Sequence, residues 1–314
     1  MQYRTLGQTG LRVSEIGFGA TQIGFPSVPE DRAERVLKGA LDAGITFFDT
    51  AARYRLSEAR IGRYLSSRKS EFVVSTKCGG WIDVLPDGRD DAHWDYTPAG
   101  ILRTIDRSRR NLRLDAIDLV VFHGLPKGGP KDPRDFRSGY DVGAAFEALL
   151  EAKSRGWARF VGISAEGEAA AEATRRWPLD VNECNYNVLM QESESELFPV
   201  ATRLGRGIIA KRPIANFVYS LKKRPDGPEE GLEWDRSQVF PWKDVAGDME
   251  LLKFNIRFTL SDPAVATAII GTANPDHVAA DARLGDAPPL PDAVRERARI
   301  AFQRLFAKPR SPVG

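Results

Sequence analysis

Short β-prone runs alternate with stretches of helical apolar spacing along almost the whole sequence, which is the mark of βαβ units around a parallel sheet. After an N-terminal hairpin over residues 3–13, strands are expected at 15–19, 46–49, 72–76, 118–122, 160–163, 180–184, 207–210 and 267–270. Helices are expected at 29–43, 57–65, 97–112, 142–155, 169–176, 197–204, 245–260 and 275–284. In the first of these, Ala33, Val36, Leu37, Ala40 and Leu41 share one face, and Gly44 stands where a helix-ending glycine belongs. Thr97-Pro98 supplies an N-cap and a first-turn proline. Strand–helix pairs joined by right-handed crossovers close into a single (β/α)8 TIM barrel, an α/β fold. An amphipathic segment at 291–306 is an extra C-terminal helix.

Barrels of this kind run to about 250 residues or more as one domain, so the 314 residues are read as one domain, 1–314. Lysine and arginine total 45 against 43 acidic residues, a net charge of +2 with no basic stripe, so no nucleic-acid partner is expected. Cys78 and Cys184 have no metal-type spacing and read as reduced thiols. Residues 1–10 lack a signal-peptide pattern, and no apolar run approaches the ~20 residues of a membrane span. A cytoplasmic protein without a membrane partner is expected. Three long connections, 79–96, 124–141 and 212–244, all follow strands and so fall on the C-terminal face, where barrel active sites form.

On that face the strand ends carry charge after apolar runs. Asp49 ends the second strand, Tyr54 follows in the loop, Lys77 ends the third strand and His123 the fourth. Buried charges are costly unless paired. A free tyrosine has a pKa near ~10, and a neighbouring ammonium favours its phenolate. Lys77 can supply that ammonium and Asp49 can hold it charged, while His123 can orient a substrate oxygen. The result is a general acid beside a carbonyl oxygen. Phe25, Trp81 and His123 are read as substrate-pocket residues, with Trp94 and Tyr96 as further aromatic walls.

Several stretches resemble the aldo-keto reductase superfamily: residues 3–14, Gly44 through Tyr54, Ser57-Glu58, Ile61-Gly62, Val73 through Lys77, and Leu114 through His123. The resemblance implies the barrel, a nicotinamide cofactor without a Rossmann domain, and an Asp49–Tyr54–Lys77–His123 tetrad. Tyr54 is then general acid in reduction and base in oxidation. Hydride passes between nicotinamide and a small aldehyde or ketone, or the corresponding alcohol.

The resemblance also implies a set of cofactor-binding positions: Gly19, Ala20, Thr21, Asp49, Ser164, Glu183, Lys211, Arg212, Pro213, Gly271, Thr272, His277 and Asp281. Several depart from the family pattern. Ala165 replaces a frequent asparagine, and Glu183 stands where a carboxamide-binding glutamine is usual. Lys211-Arg212-Pro213 falls where many members place a stacking aromatic. Gly271 and His277 match positions that often carry lysine or arginine for the 2′-phosphate, and Asp281 replaces an adenine-binding asparagine. Either NAD(H) is accepted, or another cation such as Arg212 substitutes. Family habit favours NADP(H), with NAD(H) as the alternative. Arg55 follows Tyr54 where glycine is common and is assigned to the rim. An NAD-dependent sugar or polyol dehydrogenase and a cofactor-binding regulatory subunit are the competing readings. Three histidines without a His-x-His spacing make a metal-dependent hydrolase a poor fit, so no metal is expected.

Overall fold

The computed structural model of the protein describes residues 1–124 and 141–306. The chain opens with an antiparallel hairpin, β1 (Tyr3–Thr5) and β2 (Arg12–Ser14), paired from Tyr3 with Ser14 to Thr5 with Arg12. The strands that follow are β3 (Ile16–Gly19), β4 (Phe47–Asp49), β5 (Val73–Cys78), β6 (Gly80–Val84), β7 (Asp90–Trp94), β8 (Ile117–His123), β9 (Ala158–Ser164), β10 (Val181–Asn185), β11 (Gly207–Lys211) and β12 (Val265–Ile270). Strands β6 and β7 form a second hairpin, and the other eight close into a parallel barrel in the order β10-β11-β12-β3-β4-β5-β8-β9.

Around the barrel lie α1 (Glu30–Asp42), α2 (Ser57–Leu65), α3 (Pro98–Leu112), α4 (Val142–Ser154), α5 (Gly167–Arg176), α6 (Glu192–Glu196), α7 (Phe198–Arg203), α8 (Pro228–Val239), α9 (Trp242–Ala246), α10 (Leu251–Leu260), α11 (Pro275–Arg283) and α12 (Asp292–Phe306). Their boundaries have local causes. Helix α1 buries the five apolar residues named above and carries Glu30 and Asp31 in its first turn, where the dipole favours them. The Thr97 hydroxyl caps α3 by accepting from the Gly100 amide at 3.1 Å. Asp141 caps α4 and Asn274 caps α11 in the same way. Among the described residues, no helix is long and apolar enough to cross a membrane.

The period-two alternation of a strand divides the barrel residues into two sets. Phe48, Val74, Val120, Phe122, Ile163, Cys184 and Ala210 point outward into the layer of helices. Phe47, Val73, Leu119, Val121, Val181 and Ile209 point inward and fill the lumen, where Leu6, Leu11 and Val13 of the N-terminal hairpin join them. The hairpin plugs the lower end of the barrel. Its turn fits because Gly7 sits at φ +54°, and a Cβ there would lie 2.3 Å from the Gly207 amide nitrogen. The neighbouring Gln8 amide donates to the Gly205 carbonyl at 2.8 Å.

Two of the long connections carry structure of their own, and one expected helix needs correction. Residues 79–96 join β5 to α3 through the β6–β7 hairpin, turned by Leu85-Pro86-Asp87-Gly88 with Gly88 at φ +82°. Residues 212–244 hold α8, which starts with Pro228 in its first turn followed by Glu229 and Glu230. The helix expected at 245–260 is two helices, because Gly247 at φ +63° ends α9 before α10 starts. The connection expected at 124–141 lies outside the described residues except at its ends.

Candidate active site

The inward register continues to the top of the lumen. Above the apolar layer, Asp49, Lys77, His123, Ser164, Glu183 and Lys211 occupy the upper inward positions of β4, β5, β8, β9, β10 and β11. Lys77 sits at the centre of this ring and is 1 % exposed. Its Nζ lies 2.5 Å from each Asp49 carboxylate oxygen and donates to the Thr50 carbonyl at 3.1 Å. Burial opposes the charged lysine, but the two carboxylates beside it, Asp49 and Glu183, win and raise its pKa. The Asp49 carboxyl is pushed up to about 7, first by burial and then by the negative charge of Glu183.

Tyr54 rides on the loop after β4. Its amide donates to the Ala51 carbonyl at 2.9 Å, and its own carbonyl accepts from the Ser57 amide at 3.0 Å. The Lys77 Nζ is 5.3 Å from the centre of the Tyr54 ring. The His123 ring meets it edge-on, with centroids 6.2 Å apart and planes at 87°. The structure thus brings all four tetrad candidates to one place.

Next to the tetrad, Ser164 Oγ donates to Glu183 Oε1 at 3.3 Å and accepts from Lys211 Nζ at 3.0 Å. Lys211 also pairs with Glu166 at 2.8 Å. Asn185, the next inward residue of β10, is 4 % exposed and its Oδ1 has no hydrogen-bond partner among the described residues. Sequence reading passed over Asn185, although the spacing 181, 183, 185 places it on the same face. This set suits a primary carboxamide, which offers two N–H donors and one carbonyl acceptor. The Glu183 carboxylate and Asn185 Oδ1 accept, and the Ser164 hydroxyl can donate.

The other cofactor candidates divide. Gly19 and Ala20 are buried at the upper end of β3 beside a half-buried Thr21, and Ala20 donates to the Asp49 carbonyl at 2.8 Å. Arg212, beside a buried Pro213, is taken up by Glu229 at 2.6 Å and Glu230 at 3.1 Å. A Cβ on Gly271 would lie 2.3 Å from the Gly19 carbonyl oxygen and 2.4 Å from Gln22 Oε1, so the backbone leaves no room for a side chain there. The Thr272 hydroxyl accepts from the Asn274 amide at 3.0 Å and shapes the entry to α11. His277 is exposed on that helix. Burial raises the pKa of Asp281 while the neighbouring His277 lowers it.

Of the aromatic candidates, Phe25 is 39 % exposed and lies under Arg55, whose guanidinium carbon is 4.5 Å from the ring centre. Arg55 also makes a bidentate bond to Asp90 of β7 at 2.8 and 2.5 Å, so it ties the Tyr54 loop to the second hairpin. The Trp81 ring stacks on His93 at 4.7 Å and faces Arg103 and Arg107 of α3. These contacts direct it toward the helix layer. Tyr96 is 1 % exposed and packs on Phe122 in the core.

The description "Aldo/keto reductase family" belongs to the family model that matches residues 15–300. The chain is 30 % identical over 295 residues to D-threo-aldose 1-dehydrogenase of a Pseudomonas species, spanning 85 % of this chain and 87 % of that protein. It is 27 % identical to L-galactose dehydrogenase of Arabidopsis thaliana, spanning 88 % and 86 %. The holo form of an aldo-keto reductase from Bacillus halodurans superimposes with a TM-score of 0.75 and 27 % identity, covering 96 % of each chain. The chain therefore belongs to the aldo/keto reductase family. It is an oxidoreductase of aldehyde and alcohol groups that uses a nicotinamide cofactor.

Proposed function

We propose that the protein interconverts a small aldehyde or ketone and its alcohol, with Tyr54 as the proton donor and acceptor, Lys77 and Asp49 as the pair that tunes it, and His123 as the group that orients the substrate oxygen. The observation that carries this reading is the Lys77 ammonium, clamped by Asp49 at 2.5 Å and 5.3 Å from the Tyr54 ring. Such an ammonium steadies negative charge on the phenol oxygen during proton transfer. His123, edge-on to Tyr54, can donate to the same substrate oxygen. A bound nicotinamide supplies or accepts the hydride at its C4. Ser164, Glu183 and Asn185 hold its carboxamide.

NAD(H) rather than NADP(H) fits the adenosine end, which reverses the preference expected from family habit. Gly271 has no room for a cationic side chain, and Arg212 is already held by two glutamates. Histidine is a weaker phosphate partner than arginine or lysine. An Asp281 carboxylate beside His277 adds negative charge at this end and disfavours a 2′-phosphate.

The chain acts as one unit in this reading, in the cytoplasm, where its two buried free cysteines stay reduced. Its partner is a small molecule rather than nucleic acid. The likeness to two sugar dehydrogenases favours aldoses as a second substrate reading, oxidised at the anomeric carbon. Steady-state assays with a panel of aldehydes and aldoses, each with NAD(H) and NADP(H), test the proposal. Turnover of no substrate with either cofactor would leave the binding-subunit reading in its place.

A further inference from the structure

Lys77 has two counter-ions where one suffices. Beyond its clamp on Asp49, its Nζ lies 3.2 Å from Glu183 Oε2. Glu183 reaches Lys211 through the Ser164 hydroxyl, and Lys211 pairs with Glu166. Around Lys77 itself one ammonium stands between two carboxylates, those of Asp49 and Glu183. With all three ionised, one negative charge is left over at the centre of the ring. Asp49, Lys77 and Glu183 are 4 %, 1 % and 1 % exposed, so water and salt screen that surplus weakly. A glutamine at the position would accept from a carboxamide as Glu183 does and leave no surplus.

Such a surplus discriminates between the two oxidation states of a nicotinamide. The oxidised ring carries a positive charge and the reduced ring carries none. We propose that Glu183 sets the redox-state preference of the site, its carboxylate tightening the binding of the oxidised cofactor relative to the reduced one. The proposal rests on the placement of the carboxamide against Ser164 and Glu183. It makes the bound couple a stronger hydride donor toward a carbonyl and the oxidised cofactor the slower one to leave. Carbonyl reduction is then held back by its own oxidised product, and in alcohol oxidation the reduced cofactor departs readily.

Dissociation constants for NAD+, NADH, NADP+ and NADPH, followed by tryptophan fluorescence at pH 8, test this on the wild type, Glu183→Gln, Glu183→Asp and Lys211→Gln. That pH lies above the value of about 7 to which the Asp49 carboxyl is raised. In Glu183→Gln the preference for the oxidised form falls by about tenfold or more. Tenfold corresponds to a rise of about 30 mV in the potential of the bound two-electron couple. Glu183→Asp keeps the wild-type ratio. Lys211→Gln deepens the surplus and moves the ratio the other way, which keeps the idea testable should Glu183→Gln fail to fold. A ratio unmoved in Glu183→Gln and in Lys211→Gln overturns the proposal while leaving the cofactor assignment standing. A wild type that binds none of the four overturns both.

Discussion

Gly24 lies directly against the backbone of Tyr54: a Cβ built on Gly24 would sit 2.0 Å from the Tyr54 carbonyl oxygen and 3.1 Å from the Ser57 Cβ. The loop that presents the tyrosine is therefore held from below by a surface with no side chain. Gly24→Ala pushes that loop away, and overpacking of this kind costs about 1–3 kcal/mol. Turnover of Gly24→Ala falls by at least about tenfold, because a displacement of 1 Å near the chemistry is enough for that. Thermal melts and steady-state rates on the purified variant check it; wild-type turnover would show that the loop tolerates the shift.

Removing the Tyr54 hydroxyl removes the proposed acid and base but none of the groups assigned to the carboxamide or the adenosine end. Tyr54→Phe loses about 10²- to 10⁴-fold in kcat/KM, while its cofactor dissociation constant stays near that of the wild type. Parallel kinetics and fluorescence titration separate the two. A variant that also loses cofactor affinity would place Tyr54 in the binding site instead.

Glu233 of α8 is 1 % exposed and accepts from Asn187 at 2.8 Å and Asn216 at 3.3 Å. Burial pushes its carboxyl from about 4.5 up to about 7. The folded state therefore holds this proton more tightly than the unfolded chain does. The stability linked to that proton is fully present below pH ~4.5, declines as pH rises and is gone above pH ~7. Glu233→Gln carries no such charge. Its melting temperature relative to wild type is higher at pH 8.5 than at pH 5, with a difference of about 2–3 kcal/mol in stability. An equal offset at both values would mean that Glu233 titrates normally.

At the adenosine end, His277→Arg adds a cation on the exposed face of α11 without disturbing packing. It shifts the ratio of NADP(H) to NAD(H) efficiency upward by about tenfold, in line with one charge-assisted contact to a phosphate. Gly271→Arg fails to do so and destabilises the protein, since its Cβ alone meets the Gly19 backbone. Comparing kcat/KM for both cofactors in the two variants decides this. An unchanged ratio in His277→Arg would move the 2′-position away from α11.

The barrel and the tetrad were legible because each depends on strand periodicity. Once β4, β5 and β8 were placed, the inward parity of Asp49, Lys77 and His123 followed from the alternation that buries Phe47, Val73 and Val121. The β6–β7 hairpin and α8 were not read, although Pro86-Asp87-Gly88 and Gly227-Pro228-Glu229-Glu230 are a turn signal and a helix start. Both lie in segments without apolar periodicity. Helix α8 fully buries only Gly231, Glu233 and Ser237 and rests on the core through the half-buried Trp234, so it shows no apolar stripe that spacing could reveal. The commitment of Arg212 to Glu229 and Glu230 is equally hidden, because it joins a strand end to a helix many residues on.

The hairpin that carries Leu6, Leu11 and Val13 makes the barrel a well with a floor. With that end closed, the lumen opens only at the face that carries Tyr54. The stopper, a part that meets no reactant, thereby fixes the side from which anything comes and goes.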